Sequence, residues 1–556
     1  MKHVKHAISA VAKWGIFPPL FFLVFFSILT FPLILTFSSH LWADRKDGLI
    51  SVWNLWWVHK AVVQLHQSPW HTAYLQAPFG TTLLGHCMTP FKGFLAIPLL
   101  QFLPLFQTYN VIMIFSFVVA GITAFFLSFH LTKDYASSLL AGFVYTFSSF
   151  HFSHADGGHM HMISMEWIPL FILFWYHLLT RPGMVHGGAA AIALFIVILS
   201  DYQFFVFCFL AALVMAGWFA VRKKDILFFL HGDHLSGSMA FLTIFLITTA
   251  PLIFGFLLAN ALDPFWSSGG TIEFSMDLLA PFIPGGHWFF GDLTIAYWSR
   301  LPCNTYESSV YLGFVVLFLI GTLWIKRRRT DLPDMGLWCL LLLFFTLLAL
   351  GPVPHVGGKI IPHVSLPYAW LQKILPILHI ARAPVRMMVM TTCMASILAA
   401  AGFKLLRQRS KKAPWLALAL FFLLCIEYLP RFSSIPIQVL EVPSYVRFLR
   451  NTPGNDALID VTTAFAEDEL GGLVRYYQTI HEKPMAFGSI ARTPISIYRK
   501  KIEFMKLLSE DKYFSLAHDY HFRYLVTHDD LSKVGDLPHA KLLLQEGDVR
   551  LYDLAD

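Results

Sequence analysis

Charge is what this chain has least of. Of its 556 residues, 13% are Asp, Glu, Lys or Arg, against 56% apolar and 16% aromatic. A soluble domain carries nearer a quarter charged residues, so a single water-soluble core is excluded. Disorder is excluded as well, since it requires low hydrophobicity and high net charge. Cysteine is sparse, six residues with no CxxC and no paired zinc spacing. Cys208, Cys339, Cys393 and Cys425 sit in apolar runs and read as small hydrophobic residues. Cys87 and Cys303 fall in two long loops, where a disulfide is open to them. No glycine-rich phosphate loop follows a strand and opens a helix, which argues against ATP or a soluble nucleotide-sugar as ligand. Nucleic acid is not expected as a partner.

The charge that is present is unevenly spread. The stretch from Phe432 to Asp556 holds 14 Lys/Arg and 18 Asp/Glu, about a quarter of its length, while the residues before it are about one-tenth charged. The chain therefore reads as mainly α: a polytopic transmembrane helix bundle over 1–431, then a small soluble α/β domain over 432–556. Apolar stretches near the ~20 residues that cross a bilayer occur at 15–37, 108–131, 136–152, 165–180, 185–200, 202–221, 239–260, 309–325, 335–351, 384–405 and 413–430, about eleven in all. The 185–221 stretch could equally be one kinked helix. The first run is long and lacks a small-residue cleavage site, so it is not read as a removable signal.

Basic residues orient the bundle. Starting from a cytoplasmic N-terminus, Lys2, Lys5, Lys13, Lys133, Arg181 and Arg222-Lys223-Lys224 fall inside. So do Lys326 to Arg329 and the run Lys404, Arg407, Arg409, Lys411 and Lys412. An odd number of spans then places the C-terminal domain outside, together with large loops at 38–107, 261–308 and 352–383. Carboxylates gather on that outer face. Solvation explains most of them, but not Asp156 and Asp201, which lie in short apolar loops where an ionised group near hydrocarbon is costly and usually functional.

The first outer loop is far too long for a simple connection. It opens His40-Leu41-Trp42-Ala43-Asp44-Arg45-Lys46-Asp47-Gly48 and enters a segment in which Leu49, Val52, Trp53, Trp56 and Lys60 recur at helical spacing. Trp53, Trp56 and Trp57 suit a membrane interface. Asp47 stands just ahead of this helix, where free backbone N–H groups stabilise a carboxylate. It is either a plain helix cap or a catalytic base held at the water–membrane boundary. Asp44, beside Arg45 and Lys46, could be a solvated loop residue, and Asp47 is preferred to it as the base.

A series of short motifs runs along the chain. Asp47-Gly48, Trp53-Asn54-Leu55-Trp56-Trp57, Pro78-x-Gly80 and His86-x-x-x-Pro90 come first. Ser153-His154 through Gly158-His159, Met165-Glu166-Trp167-Ile168-Pro169-Leu170 and Asp201-Tyr202 follow. Tyr311-Leu312-Gly313, Arg382-Ala383-Pro384-x-Arg386 and Tyr477-Gln478-Thr479-x-His481-x-Lys483-Pro484 complete the series. In this order, and at these positions relative to the apolar runs, the sequence resembles the polytopic glycosyltransferases of the GT-C superfamily, closest to a poorly characterised bacterial branch. The resemblance covers most of the chain. It implies a GT-C-like bundle in the plasma (inner) membrane, a polyprenyl-phosphate-linked sugar donor and a reaction at the outer leaflet. It also implies that an acidic residue of the first outer loop acts as base on an acceptor hydroxyl, with inversion at the sugar carbon. Asp47 is the matching position, with Asp44 the second acid of the loop. His86 and Glu166 enter as substrate-binding candidates through the same resemblance. The acceptor is left open among lipid, polysaccharide and protein.

Chemistry alone sets similar demands. A carboxylate must take the acceptor proton, cations must stabilise the departing phosphate, and a groove must admit the lipid tail. Arg382 and Arg386 stand at i, i+4 at the outer start of a span, which would put two forked phosphate donors on one helical face. The plain alternative is interfacial snorkelling. The stretch Ser153-His154-Ala155-Asp156-Gly157-Gly158-His159-Met160-His161 could hydrogen-bond a sugar, or hold a divalent cation through His159 and His161. Asp201-Tyr202-Gln203 is a small outer turn that would contact sugar or cap a span. Loop 261–308, rich in Trp, Phe, Gly and Pro, suits a lid over a lipid-linked substrate. Beyond Phe432, Ala457–Val461 and Arg523–Val526 read as strands, Leu542–Tyr552 as a hairpin and Tyr498–Leu508 as a helix. The Asp468–Arg492 region would select the acceptor or only stabilise the outer face. Two other readings stay open. One is a transporter or lipid flippase, opposed by the want of convincing repeated halves and by the small number of mid-span ionisable groups. The other is a non-catalytic membrane scaffold.

Overall fold

The computed structural model describes residues 12–266, 270–375, 378, 382–408, 413–439, 441–461, 469–510, 512–528 and 540–554. Lys2, Lys5, Arg409, Lys411, Lys412 and Asp468, which entered the charge reading, lie outside the described residues. The fold is mainly helical. Among the described residues, four helices are long and apolar enough to cross a membrane: Leu105–Thr132, Tyr202–Lys223, Gly232–Leu262 and Pro384–Arg407. The chain divides into two compact units. One comprises Met1–Thr36, Val111–Ala250 and Gly269–Ser433; the other comprises Phe37–Asn110, Pro251–Ser268 and Ser434–Asp556.

The first unit is a helix bundle. Its centre is the Met388–Arg407 helix, buried almost throughout. Small residues let neighbours approach it closely; a Cβ on Gly402 would lie 2.1 Å from the carbonyl oxygen of Leu319. The 185–221 stretch is two helices, Met184–Ser200 and Tyr202–Lys223. They part at Asp201, whose extended backbone leaves the first helix while its carboxylate accepts the N–H groups of Gln203 and Phe204 at 2.7 and 3.0 Å. That is an N-cap, and it satisfies two of the donors a helix start leaves unpaired. Ion pairs of Lys404 with Asp331 (2.6 Å) and Arg407 with Asp134 (2.8 Å) join helix ends to loops on the basic side.

The second unit is built on a four-stranded sheet in the order Lys541–Glu546, Val549–Asp553, Phe522–His528, Ala457–Asp460. Its neighbours are antiparallel except the last pair, which is parallel with Leu525 opposite Ile459. Side chains alternate across a strand, and here both faces are covered. Leu458, Tyr524, Val526 and Leu551 point into a core with Trp53 and Trp57, whereas Ile459 and Leu525 meet Phe504, Leu508 and Leu516 on the other side. The three tryptophans of the Asp47–His59 helix therefore do not lie at a lipid interface. Trp53 and Trp57 are fully buried and their rings stack 5.7 Å apart. A sheet face of branched and aromatic residues supplies the apolar surroundings that a membrane was expected to supply. Cys303 is a buried free thiol, so the disulfide considered for it is not formed.

Candidate functional site

In the second unit the two acids of the 38–107 loop have different work. Asp44 is buried, and its Oδ1 accepts the backbone N–H of Gly48. It therefore serves the start of the Asp47–His59 helix, the capping role considered for Asp47. Asp47 is the first residue of that helix and is exposed. Its carboxylate lies in the first turn, where the helix dipole favours negative charge.

His86 is buried nearby on the following loop. Its Nδ1 accepts the N–H of Ala491 at 3.2 Å, so Nε2 carries the proton and donates to Oδ1 of Asn54 at 3.1 Å. Burial, reinforced by the charges of Arg475 and Arg492, pulls the imidazole well below its ordinary value and keeps it neutral. Asn54 in turn donates to the carbonyl of Cys87 at 3.0 Å. His86 is thus a rigid joint between the first loop and the segment near residue 491.

Arg475 was not singled out by the sequence. It lies on the Glu469–His481 helix, fully buried, with its guanidinium 4.1 Å from the centroid of the Trp53 ring. Nη1 donates to the carbonyl of Ser489, while Nε and Nη2 have no hydrogen-bond partner among the described residues. Burial lowers its pKa to about 9, and the Asp47 carboxylate acts in the opposite sense. The signal was a polar stripe at a spacing of three, Gly472, Arg475 and Gln478. The last of these accepts the indole N–H of Trp53 at 2.7 Å.

In the first unit a second cluster forms where the Ser149–Asp156 helix, the Thr305–Ser308 turn and the Pro384–Met387 turn meet. Glu307 is buried and held by the fork of Arg386: Nε lies 2.9 Å from Oε2 and 3.2 Å from Oε1, and Nη2 also binds Oε1. Burial alone would raise the Glu307 pKa. The charge and hydrogen bonds of Arg386 outweigh it and hold the carboxyl well below the usual range. The two arginines do not share a helical face as their spacing predicts. Arg382 precedes the turn at a φ of 55°, its guanidinium 6.0 Å from the ring of Phe274, because Pro384 starts a 3-10 turn and the regular helix begins only at Met388.

His154 joins this cluster. Its Nδ1 is 2.8 Å from Nδ1 of His159, and its Nε2 is 3.9 Å from Glu307. One ligand atom from each of His154, His159 and Glu307 falls within 4.8 Å of the others, a set that differs from the His159 and His161 pair considered for a divalent cation. Two imidazoles and a carboxylate suit a borderline cation. The Arg386 fork already engages both Glu307 oxygens, however, so the set fits a charge-balanced cluster better than a metal centre. Asp156 accepts from Ser433 through both oxygens, N–H at 2.9 Å and Oγ at 2.7 Å, and so closes a loop. Glu166 is buried, its backbone carbonyl bound by Thr123 at 2.7 Å. Asp201 caps its helix as described, and Tyr202 begins that helix, half-buried.

Among solved structures, the chain is similar to the arabinofuranosyltransferase AftD from Mycobacteria, with a TM-score of 0.59 and 13% identity over 98% of this chain. It spans 42% of that protein's length. It is also similar to ArnT from Cupriavidus metallidurans bound to undecaprenyl phosphate, with a TM-score of 0.50 and 10% identity, covering 96% of this chain and 97% of that one. No curated protein matches the sequence. A family model described as a domain of unknown function, DUF6311, matches residues 20–427. The chain belongs to that DUF6311 family, and its fold is that of the GT-C membrane glycosyltransferases.

Proposed function

We propose that the chain is a membrane glycosyltransferase, moving a sugar from a polyprenyl-phosphate-linked donor to an acceptor hydroxyl with inversion. The observation that carries this reading is the division of labour between Asp44 and Asp47 on a GT-C fold. The buried acid holds the helix start, and Asp47 stays exposed at the first turn of the helix. In the step, the acceptor oxygen attacks the anomeric carbon on the face opposite the phosphate. The bond from that carbon to the phosphate oxygen breaks, the polyprenyl phosphate leaves with the electron pair, and the acceptor proton passes to the Asp47 carboxylate. Arg382 is the candidate for the departing phosphate, since Arg386 is already neutralised by Glu307. His154, His159 and Tyr202 are the candidates for sugar contact.

The arrangement in the membrane belongs to the same proposal: about eleven spans, a cytoplasmic N-terminus, and the C-terminal domain on the outer face of an inner membrane. The undecaprenyl phosphate bound to the Cupriavidus transferase supports the carrier class. The acceptor is a lipid, polysaccharide or protein hydroxyl.

The test is transfer itself. Purified protein in lipid is given a panel of polyprenyl-phosphate sugars and acceptors, and products are identified by mass. One sugar released with free carrier phosphate, lost in Asp47→Asn and retained in Asp44→Asn, is the expected result. Undiminished turnover in Asp47→Asn refutes the base. Passage of intact donor across sealed vesicles, with no covalent change, replaces transfer by transport.

A further inference from the structure

Residues 351–375 turn the usual order of a protein surface inside out. The stretch carries no Asp or Glu, and its charged side chains are Lys359 and Lys373, accompanied by His355 and His363. It opens with a hairpin, His355–Val356 paired with Lys359–Ile360. The turn residues Gly357 and Gly358 take φ values of 58° and 83°, the left-handed backbone that so tight a turn requires. The helix Pro367–Ile374 follows. What these elements bury is polar. His355 is 1% exposed, and its carbonyl accepts the N–H of Leu278 at 2.9 Å. The N–H of Gly358 donates to the buried Asp277 at 2.8 Å, and Gln372, 7% exposed, donates to Oγ1 of Thr271 at 3.3 Å. What they expose is apolar: Val356, Ile360, Ile361, Val364, Trp370 and Ile374, the last two 60% and 74% exposed. A surface helix in water buries its apolar face. Here Trp370 and Ile374 face outward while Tyr368 and Gln372 face in.

Exposed apolar side chains in such number mark a contact with lipid or with protein. Charge decides between the two. Lysine is depleted from protein–protein interfaces. At a bilayer surface, by contrast, its stem lies along apolar groups while its ammonium reaches lipid phosphate. Tryptophan marks the same boundary. Lys359 and Lys373 are both exposed, and the stretch holds no carboxylate to compete for them.

We propose that residues 356–374 dock on a membrane surface of anionic phospholipid: the exposed apolar side chains enter the acyl boundary, and Lys359 and Lys373 meet the phosphates. Asp277 and Thr271 hold the polar side of the segment to the rest of its unit, so the docking surface is carried by a fixed scaffold. The bundle is then held by a surface contact as well as by its spans, whatever sugar chemistry it performs.

Photocrosslinking tests this. Full-length protein with a photoreactive phenylalanine analogue in place of Trp370 is reconstituted in vesicles of equal phosphatidylglycerol and phosphatidylcholine and irradiated, and its adducts are identified by mass. Phospholipid adducts are expected, with phosphatidylglycerol favoured about fivefold for each lysine that engages it. Adding Lys359→Gln and Lys373→Gln should bring the two lipids close to equal capture. Equal capture before the lysines are changed overturns the proposal. So does an adduct with a second copy of the chain, or no adduct at all. A protein with the analogue in place of Ile374 decides in the same way if the first does not insert.

Discussion

Each unit has an acid and an arginine at its candidate site, and the two units treat them in reverse. In Glu307–Arg386 the carboxylate is buried and the arginine closes on both of its oxygens, so the acid is pinned and saturated. In the second unit Arg475 is buried and the Asp47 carboxylate is exposed. The first unit encloses its negative charge; the second encloses a positive charge and presents a negative one. An acid that must accept a proton from an incoming hydroxyl belongs to the second kind, an acid that must hold a fold together to the first.

Neutralising the two acids should separate these roles most sharply. Asp47→Asn is expected to lower transfer about 10²–10⁴-fold, the span of general-base contributions, while the protein still folds and inserts. Glu307→Gln should instead cost about 3–5 kcal/mol of stability, because Arg386 is left without its counter-charge. Thermal unfolding measures that loss, and a Glu307→Gln protein as stable as wild type would show that the fork has no structural role. The pH dependence sharpens the same contrast. Because the folded Glu307 value is depressed, its contribution is complete above the ordinary glutamate value of about 4.3 and is lost as pH falls below it. Unfolding scans in acid should show wild type losing this increment and Glu307→Gln having none to lose.

Smaller effects probe the seat of Asp47. A Cβ on Gly472 would lie 2.2 Å from the carbonyl oxygen of Arg45. Gly472→Ala therefore forces the Glu469–His481 helix off that carbonyl and is expected to cost about 1–3 kcal/mol, with transfer falling because the loop ahead of Asp47 shifts. A Gly472→Ala enzyme with wild-type stability and rate would show that the close approach is dispensable. Asp44→Ala should cost about 1 kcal/mol, the usual value of a lost cap, read as a lower denaturant midpoint.

Much of the bundle was legible because a run of apolar residues is a one-dimensional signal. The runs at 108–131 and 202–221 coincide with the Leu105–Thr132 and Tyr202–Lys223 helices, and the break at Asp201 falls where a capping acid interrupts an apolar stretch. The pairings were not legible, because they are three-dimensional. Glu307 sits 79 residues before Arg386 in a turn without a periodic pattern, and only the fold brings them together. The tryptophans misled for a related reason: an amphipathic Trp-rich helix has the same pattern whether its apolar face meets lipid or a sheet. Arg475 lay two residues before the Tyr477-Gln478 motif and escaped notice because a single arginine in a helix ordinarily reads as a solvated side chain.

The indole N–H of Trp53 is bound by a side chain 425 positions later. That separation has a consequence for biogenesis. A growing chain exposes the Asp47–His59 segment early and carries it unpartnered through the synthesis of every intervening helix, with two large aromatic faces awaiting cover. The sheet that covers them exists only once the Phe522–His528 and Val549–Asp553 strands have emerged. The core around the Asp47–His59 helix is therefore completed only after the Val549–Asp553 strand has been made.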